Sequence, residues 1–124
     1  VLAISQCERE YALLEQAHQD TLQAVRALMV VGEKAYPVAE QLARSLHIST
    51  RTLRRRLHLE GSSYHQLLEE ARRRDALVLL DKASMEVQKI AQILGYSNPA
   101  NFTRAFKGWT GKTPSEYRRF RDLI

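Results

Sequence analysis

Apolar residues recur along this chain three and four positions apart, and no stretch of five or more residues alternates cleanly between apolar and polar. That spacing draws one apolar stripe along a helix, whereas a half-buried strand alternates. The pattern therefore predicts helices almost throughout. A helical lead-in is expected from residue 6 to about 32, as one helix or as two with a break near His18–Thr21. Its apolar members are Leu13, Leu14, Ala17, Leu22, Val25, Leu28 and Met29. Pro37 opens a short helix whose stripe is Ala39, Leu42, Ala43 and Leu46. Ser49 is the expected N-cap of the next helix, which ends near Gly61. Ser63 and Gln66 have capping-box spacing and begin the longest helix of the body, running to about Lys82. Ser84 is expected to cap a fourth helix with the stripe Val87, Ile90, Ala91 and Leu94, closed by Gly95. Asn98 caps the next, with Pro99 in its first position. Thr113-Pro114-Ser115-Glu116 starts the last, from which Tyr117 and Phe120 are expected to face the core.

Two stretches of this pattern repeat. Ala39-Leu42-Ala43-Leu46 followed by His47-Ile48-Ser49 matches Val87-Ile90-Ala91-Leu94 followed by Gly95-Tyr96-Ser97. Each leads to a bulky apolar pair four residues apart, Leu53/Leu57 and Phe102/Phe106. The offset is 48 residues in the first helices and 49 in the second, so the second copy carries one extra residue in its turn region. A short helix, a tight turn and a second helix make a helix-turn-helix unit. The turn needs a residue tolerant of positive φ. Gly95 meets that need without a steric penalty, and His47 is a poorer choice.

On a helical wheel, Leu53 and Leu57 define the buried side of the second helix in copy one. Arg51, Arg54, Arg55 and His58 cluster opposite. In copy two, Phe102, Ala105, Phe106 and Trp109 are buried. Ala100, Thr103, Arg104 and Lys107 point outward, with Asn101 on the flank. Charge gives these faces a direction. The 124 residues carry a formal net charge of +5, but residues 1–34 hold 3 basic and 5 acidic side chains against 16 and 9 in the rest. A basic body suits a polyanionic partner. The DNA major groove admits a helix of this kind, where Arg can pair bidentately with guanine and Asn with adenine. A merely solvated face, or a helical module that binds an acidic protein, is the alternative, and one copy alone does not decide. Two capped copies, both basic at the same wheel angle, favour double-stranded DNA.

Other chemistry is thin. His18, His47, His58 and His65 have no metal-ligand spacing relative to one another or to Cys7, so no metal and no cofactor are expected. Glu69 and Glu70 are adjacent on a helix and cannot flank one substrate. No nucleophile triad, phosphate loop or dinucleotide turn is present, so the chain is read as no enzyme. Trp109 and the phenylalanines could stack bases of a single strand, but their helical spacing says core. Of Arg72-Arg73-Arg74, one or two at most can face DNA. The longest apolar runs, Ala27–Val31 and Ala76–Leu80, are five residues long, far short of the roughly 20 that span a membrane. No secretory leader is visible, and a lone Cys7 fits a reducing, cytoplasmic setting. The first residue is Val, so a fragment or a processed chain is expected.

Leu42-Ala43 followed by Ser49, Arg51, Leu53, Arg55 and Leu57 resembles the first helix-turn-helix of AraC/XylS-type bacterial transcription regulators. Ile90-Ala91, Leu94-Gly95-Tyr96, Phe102, Arg104, Phe106-Lys107, Gly111, Thr113-Pro114 and Tyr117-Arg118 resemble the signature of the second. Arg72, Ala76, Leu79 and Leu80 match the linker helix between them. The resemblance covers about residues 37–121. It implies an all-α fold of about seven helices plus the lead-in, with two helix-turn-helix subdomains joined by a long linker helix. The implied division is 1–34 lead-in or linker from an absent N-terminal domain, 35–62 first subdomain (with a preceding helix from about 21), 63–82 linker helix, and 83–124 second subdomain and C-terminal helix. Recognition helices at about Thr50–Leu59 and Pro99–Trp109 are implied to enter successive major grooves. Carried over by position, Arg51, Arg54 and Arg55, then Ala100, Asn101, Thr103 and Arg104, read bases. Ala100 stands where the family commonly has a long polar side chain, and it could touch only a thymine methyl. Ser49, Arg56, Ser97, Asn98, Lys107 and Thr113 are the phosphate candidates, Arg56 with its stem on the core edge. The implied partners are DNA, RNA polymerase, and a small-molecule effector acting through the absent domain, in an activator. The Tyr36-Pro37 junction and the lead-in resemble a subgroup of regulators of amino-acid catabolism.

Overall fold

Capping chemistry places most of the helix boundaries. The computed structural model describes residues 21–32 and 35–122. Seven helices lie within them: α1 (21–28), α2 (Ala39–Ser45), α3 (Thr50–Leu59), α4 (Tyr64–Leu80), α5 (Val87–Ile93), α6 (Pro99–Thr110) and α7 (Pro114–Asp122). Ser49 Oγ accepts the Thr52 N–H at 3.1 Å at the start of α3, and Ser63 Oγ accepts the Gln66 N–H at 3.1 Å at the start of α4. Asn98 Oδ1 accepts the Asn101 N–H at 2.9 Å with Pro99 in the first turn of α6, and Thr113 Oγ1 accepts the Glu116 N–H at 3.2 Å. Each bond satisfies one of the orphan donors of a first turn.

Several expectations are corrected. Pro37 does not open α2; the cap is Val38, whose N–H donates to Gln41 Oε1 at 3.1 Å. Ser84 does not cap α5. The Met85 N–H bonds the Lys82 carbonyl at 3.0 Å, a turn that delays the helix until after Glu86 and leaves Ser84 two residues ahead of the cap. The linker helix ends at Leu80 rather than near Lys82. Phe120 does not face the core and is 50% exposed, because Tyr117 makes the inward contact with Phe106 at 5.5 Å. The Lys112 ammonium lies 3.3 Å from the Phe120 ring centroid and covers it instead. Ala105 and Trp109 are only half-buried, and Leu28 is exposed. Helix over 6–20, the break near His18, and Cys7 lie outside the described residues.

The described residues form two compact units. The first combines 21–29 with Pro37–Leu67, around Val25, Met29, Ala39, Leu42, Ala43, Leu53, Leu57 and Leu67, each at most 4% exposed. Tyr64 donates its hydroxyl to the Pro37 carbonyl at 2.7 Å, tying the start of α4 to the chain ahead of α2.

The second unit takes 30–32, 35–36 and the chain from Leu68. Its core joins Ala71, Ala76 and Leu80 of α4 to Ile90, Ala91, Leu94, Phe102 and Phe106. An aromatic ladder runs from Tyr96 to Phe102 (5.5 Å), to Phe106 (5.9 Å) and on to Trp109 (6.2 Å). The last turn of α4 has no basic residue of its own. Arg118 of α7 supplies one, donating to the Leu80 carbonyl at 3.1 Å and the Lys82 carbonyl at 2.9 Å, where a cation meets the negative end of the helix dipole. Ahead of the first unit's α2, Gly32 and Ala35 pair in a single antiparallel bridge, and Ala35 has φ 71.

Candidate nucleic-acid interface

The repeat read from sequence is a repeat of hydrogen bonding. At the end of α2 the Ile48 N–H bonds the Ala43 carbonyl at 3.0 Å and the His47 N–H bonds that of Arg44 at 3.2 Å. At the end of α5 the Tyr96 N–H bonds the Ala91 carbonyl at 3.0 Å and the Gly95 N–H that of Gln92 at 3.0 Å. Both are Schellman closures with a left-handed residue after the cap, His47 at φ 58 and Gly95 at φ 85. In copy one Ser49 follows at once as cap; in copy two Ser97 stands between, and that is the extra residue.

Behind these turns α3 and α6 bury one face each. Leu53 and Leu57 are 0% exposed, as are Phe102 and Phe106. Arg51, Arg54, Arg55 and His58 are exposed on α3, and Arg56 is half-buried, as expected for a stem on the core edge. Arg54 and His58 also line a shallow groove with Ser62, Ser63, Tyr64 and His65. Ala100, Arg104 and Lys107 are exposed on α6, with Asn101 and Thr103 half-buried. The Asn101 amide is engaged at both ends. Its Nδ2 donates to Ser97 Oγ at 3.1 Å, and its Oδ1 accepts a short bond from Arg104 Nη2. Ser97 and Asn101 thus hold Arg104 in place along the outward face. Thr103 donates back to the Pro99 carbonyl at 3.1 Å. Ser49 spends its own hydroxyl proton on Thr52 Oγ1 at 2.9 Å.

In the sequence Arg72 stands out as part of a basic triplet and as a match to the family's linker helix, with no partner assigned to it. Its Nε donates to the Leu94 carbonyl at 3.0 Å and Nη2 to the Gly95 carbonyl at 3.4 Å, while Nη1 pairs with Glu69 at 3.1 Å. Its guanidinium carbon lies 4.4 Å from the Tyr96 ring centroid. Burial, then the nearby Glu69 charge, push the Tyr96 hydroxyl up to about 12. On the same helix Arg74 grips Asp75 at 3.0 and 3.1 Å, and Asp75 accepts the Tyr36 hydroxyl at 2.6 Å. Burial alone raises the Asp75 carboxyl, but the bonds from Arg74 and Tyr36 outweigh it and hold the group below its ordinary value. Burial and the Asp75 bond push the Tyr36 hydroxyl far above its ordinary value. Among the described residues no three His, Cys, Asp or Glu side chains are grouped to hold a metal, and no helix is long and apolar enough to cross a membrane.

A family model described as a helix-turn-helix domain matches residues 42–119. Among curated proteins, the chain is similar to the ornithine utilization regulator of Pseudomonas aeruginosa, 42% identical over 113 residues, covering 91% of this chain and 33% of that protein. The chain spans about a third of the length of the curated relatives it matches. Among solved structures it is similar to the transcriptional regulator CdpR of Pseudomonas aeruginosa, with a TM-score of 0.73 and 36% identity over 80% of this chain and 31% of that one. It is also similar to the DNA-binding domain of AdpA, a global transcriptional factor solved in complex with a target DNA. There the TM-score is 0.63 and the identity 25%, over 82% of this chain and 89% of that one.

Proposed function

Since the chain belongs to the AraC/XylS-type family of helix-turn-helix DNA-binding domains, we propose that it reads double-stranded DNA at two short segments, α3 and α6 each entering a major groove. The observation that carries this is the repeated unit itself: two helices, each seated behind the same Schellman turn, each burying an apolar pair and exposing cationic side chains. Arg51, Arg54 and Arg55 read bases from α3. Arg104 reads from α6, buttressed by Asn101, with Thr103 and the methyl of Ala100 beside it. Asn101 itself reads a base once it exchanges its bonds to Ser97 and Arg104. Ser49, Arg56, Ser97, Asn98, Lys107 and Thr113 meet phosphates and position the helices.

The wider assignments rest on likeness to the longer relatives. Residues 1–34 lead in from a ligand-sensing domain, 35–62 and 83–124 are the two readers, and 63–82 links them. By likeness to the ornithine utilization regulator, the effector is a small molecule of amino-acid utilisation. The regulator works in the cytoplasm as an activator, in contact with RNA polymerase and without catalysis of its own.

Selection of bound duplexes from a random pool tests the reading. The expected product carries two preferred segments about one helical turn apart, 10–10.5 bp. Arg55→Ala lowers affinity and flattens preference at one segment, by about 1–3 kcal/mol of discrimination. Lys107→Ala weakens all duplexes about equally and lowers the salt dependence by roughly one phosphate contact. A chain that treats specific and random duplex alike at physiological salt, and binds an acidic protein instead, would overturn it.

A further inference from the structure

Arg72 is 17% exposed at its side chain and sits on the linker helix. Its contacts converge on one place, the turn between α5 and α6. Two of its nitrogens hold consecutive carbonyls of that turn, Leu94 and Gly95. Its planar guanidinium lies against Tyr96, whose ring centroid is 5.5 Å from that of Phe102. Phe102 is a fully buried residue of α6 itself, early in the helix. Tyr96 thus meets Arg72 through the face of its ring. Ala35 also lies against this turn: a Cβ added at Gly95 would lie 2.9 Å from the Ala35 Cβ. Glu69 steadies the guanidinium from one turn away on α4. The turn so held is the longer of the two, with Ser97 added before the cap, and a longer connection constrains the following helix less.

We propose that Arg72 is a positioning residue for DNA reading: by fixing the turn ahead of α6 it sets how that helix presents Arg104 and its neighbours, and hence the base preference at the segment α6 reads. The inference rests on the reading of α6 as a recognition helix. Contacts to bases discriminate only when their supports hold them to within about 0.5 Å, and a forked guanidinium on two carbonyls is such a support.

Arg72→Lys tests this, because a lysine keeps a cation beside Glu69 and Tyr96 but lacks the rigid planar fork that sets separate nitrogens on the two carbonyls. Selections are run on the full chain, on Arg72→Lys, and on Arg118→Lys, which loosens the second unit at the far end of α4. With Arg72→Lys, discrimination at the α6 segment falls about tenfold, toward the low end of what one bidentate base contact supplies, while the α3 segment keeps its preference. Arg118→Lys lowers the melting temperature and leaves both preferences unchanged. Unchanged preference in Arg72→Lys, or an equal loss at both segments, overturns the role. A wild-type chain that selects no sequence overturns the DNA reading itself, which is a different result. Should circular dichroism show Arg72→Lys unfolded, Glu69→Gln removes the lateral anchor; a smaller shift confined to the α6 segment is expected, and no shift there overturns the proposal.

Discussion

His47 at φ 58 and Gly95 at φ 85 occupy the same place in their two turns, but at different cost. A side chain in the left-handed region gives up about 1–2 kcal/mol, and glycine does not. His47→Gly is therefore expected to stabilise the fold by about 0.5–1 kcal/mol, with base preference unchanged. Gly95→Ala should destabilise by at least about 1–2 kcal/mol, since it adds both the strained φ and the 2.9 Å approach to Ala35. Thermal melts of the two variants moving in opposite directions check this. The demand for a left-handed residue at both positions was legible from the repeat alone. The contact of Gly95 with Ala35 was not, because the two residues are 60 positions apart and only the folded chain brings them together. The same holds for the arginine triplet. Adjacent helical residues diverge by 100°, and the fold sends Arg72 to the turn, Arg73 to the surface and Arg74 to Asp75.

Helix starts show what local chemistry decides. Ser49, Ser63, Asn98 and Thr113 were legible as caps, and each accepts the expected backbone N–H. Ser84 has the right residue type in the wrong backbone, because the Lys82–Met85 turn intervenes. Ser49→Ala and Asn98→Ala are each expected to cost about 1 kcal/mol, and Ser84→Ala almost nothing. Chemical denaturation of the three variants, with unchanged m-values, separates these outcomes. The two recognition helices were readable nearly to the residue because cap, apolar period and breaker agree there. The site was readable as a face but not as a network. The sharing of the Asn101 amide between Ser97 and Arg104 is a matter of side-chain reach, which periodicity does not encode.

Over the whole molecule, Tyr36 links stability to pH. Its phenol is held neutral in the folded state by burial and by the bond to Asp75, while the unfolded phenol ionises near its ordinary value of 10.0. The resulting stability is complete below that pH and is lost as pH rises above it. Asp75 acts in the opposite sense: held below its ordinary 3.8, it contributes above that value and its contribution fades as pH falls below it. Melting temperatures should accordingly decline above about pH 10, and Tyr36→Phe should make that decline shallower, with Tyr96 accounting for part of what remains; an equally steep decline in the variant contradicts the assignment. The two units each enclose a core of their own, one centred on Leu53 and Leu57, the other on Phe102 and Phe106. That separation bears on how such a regulator changes over generations. On the proposed reading, substitutions at Arg51, Arg54 or Arg55 fall in the unit with the Leu53/Leu57 core and not in the one with the Phe102/Phe106 core behind Arg104, so one half of a target site can drift while the other is still read.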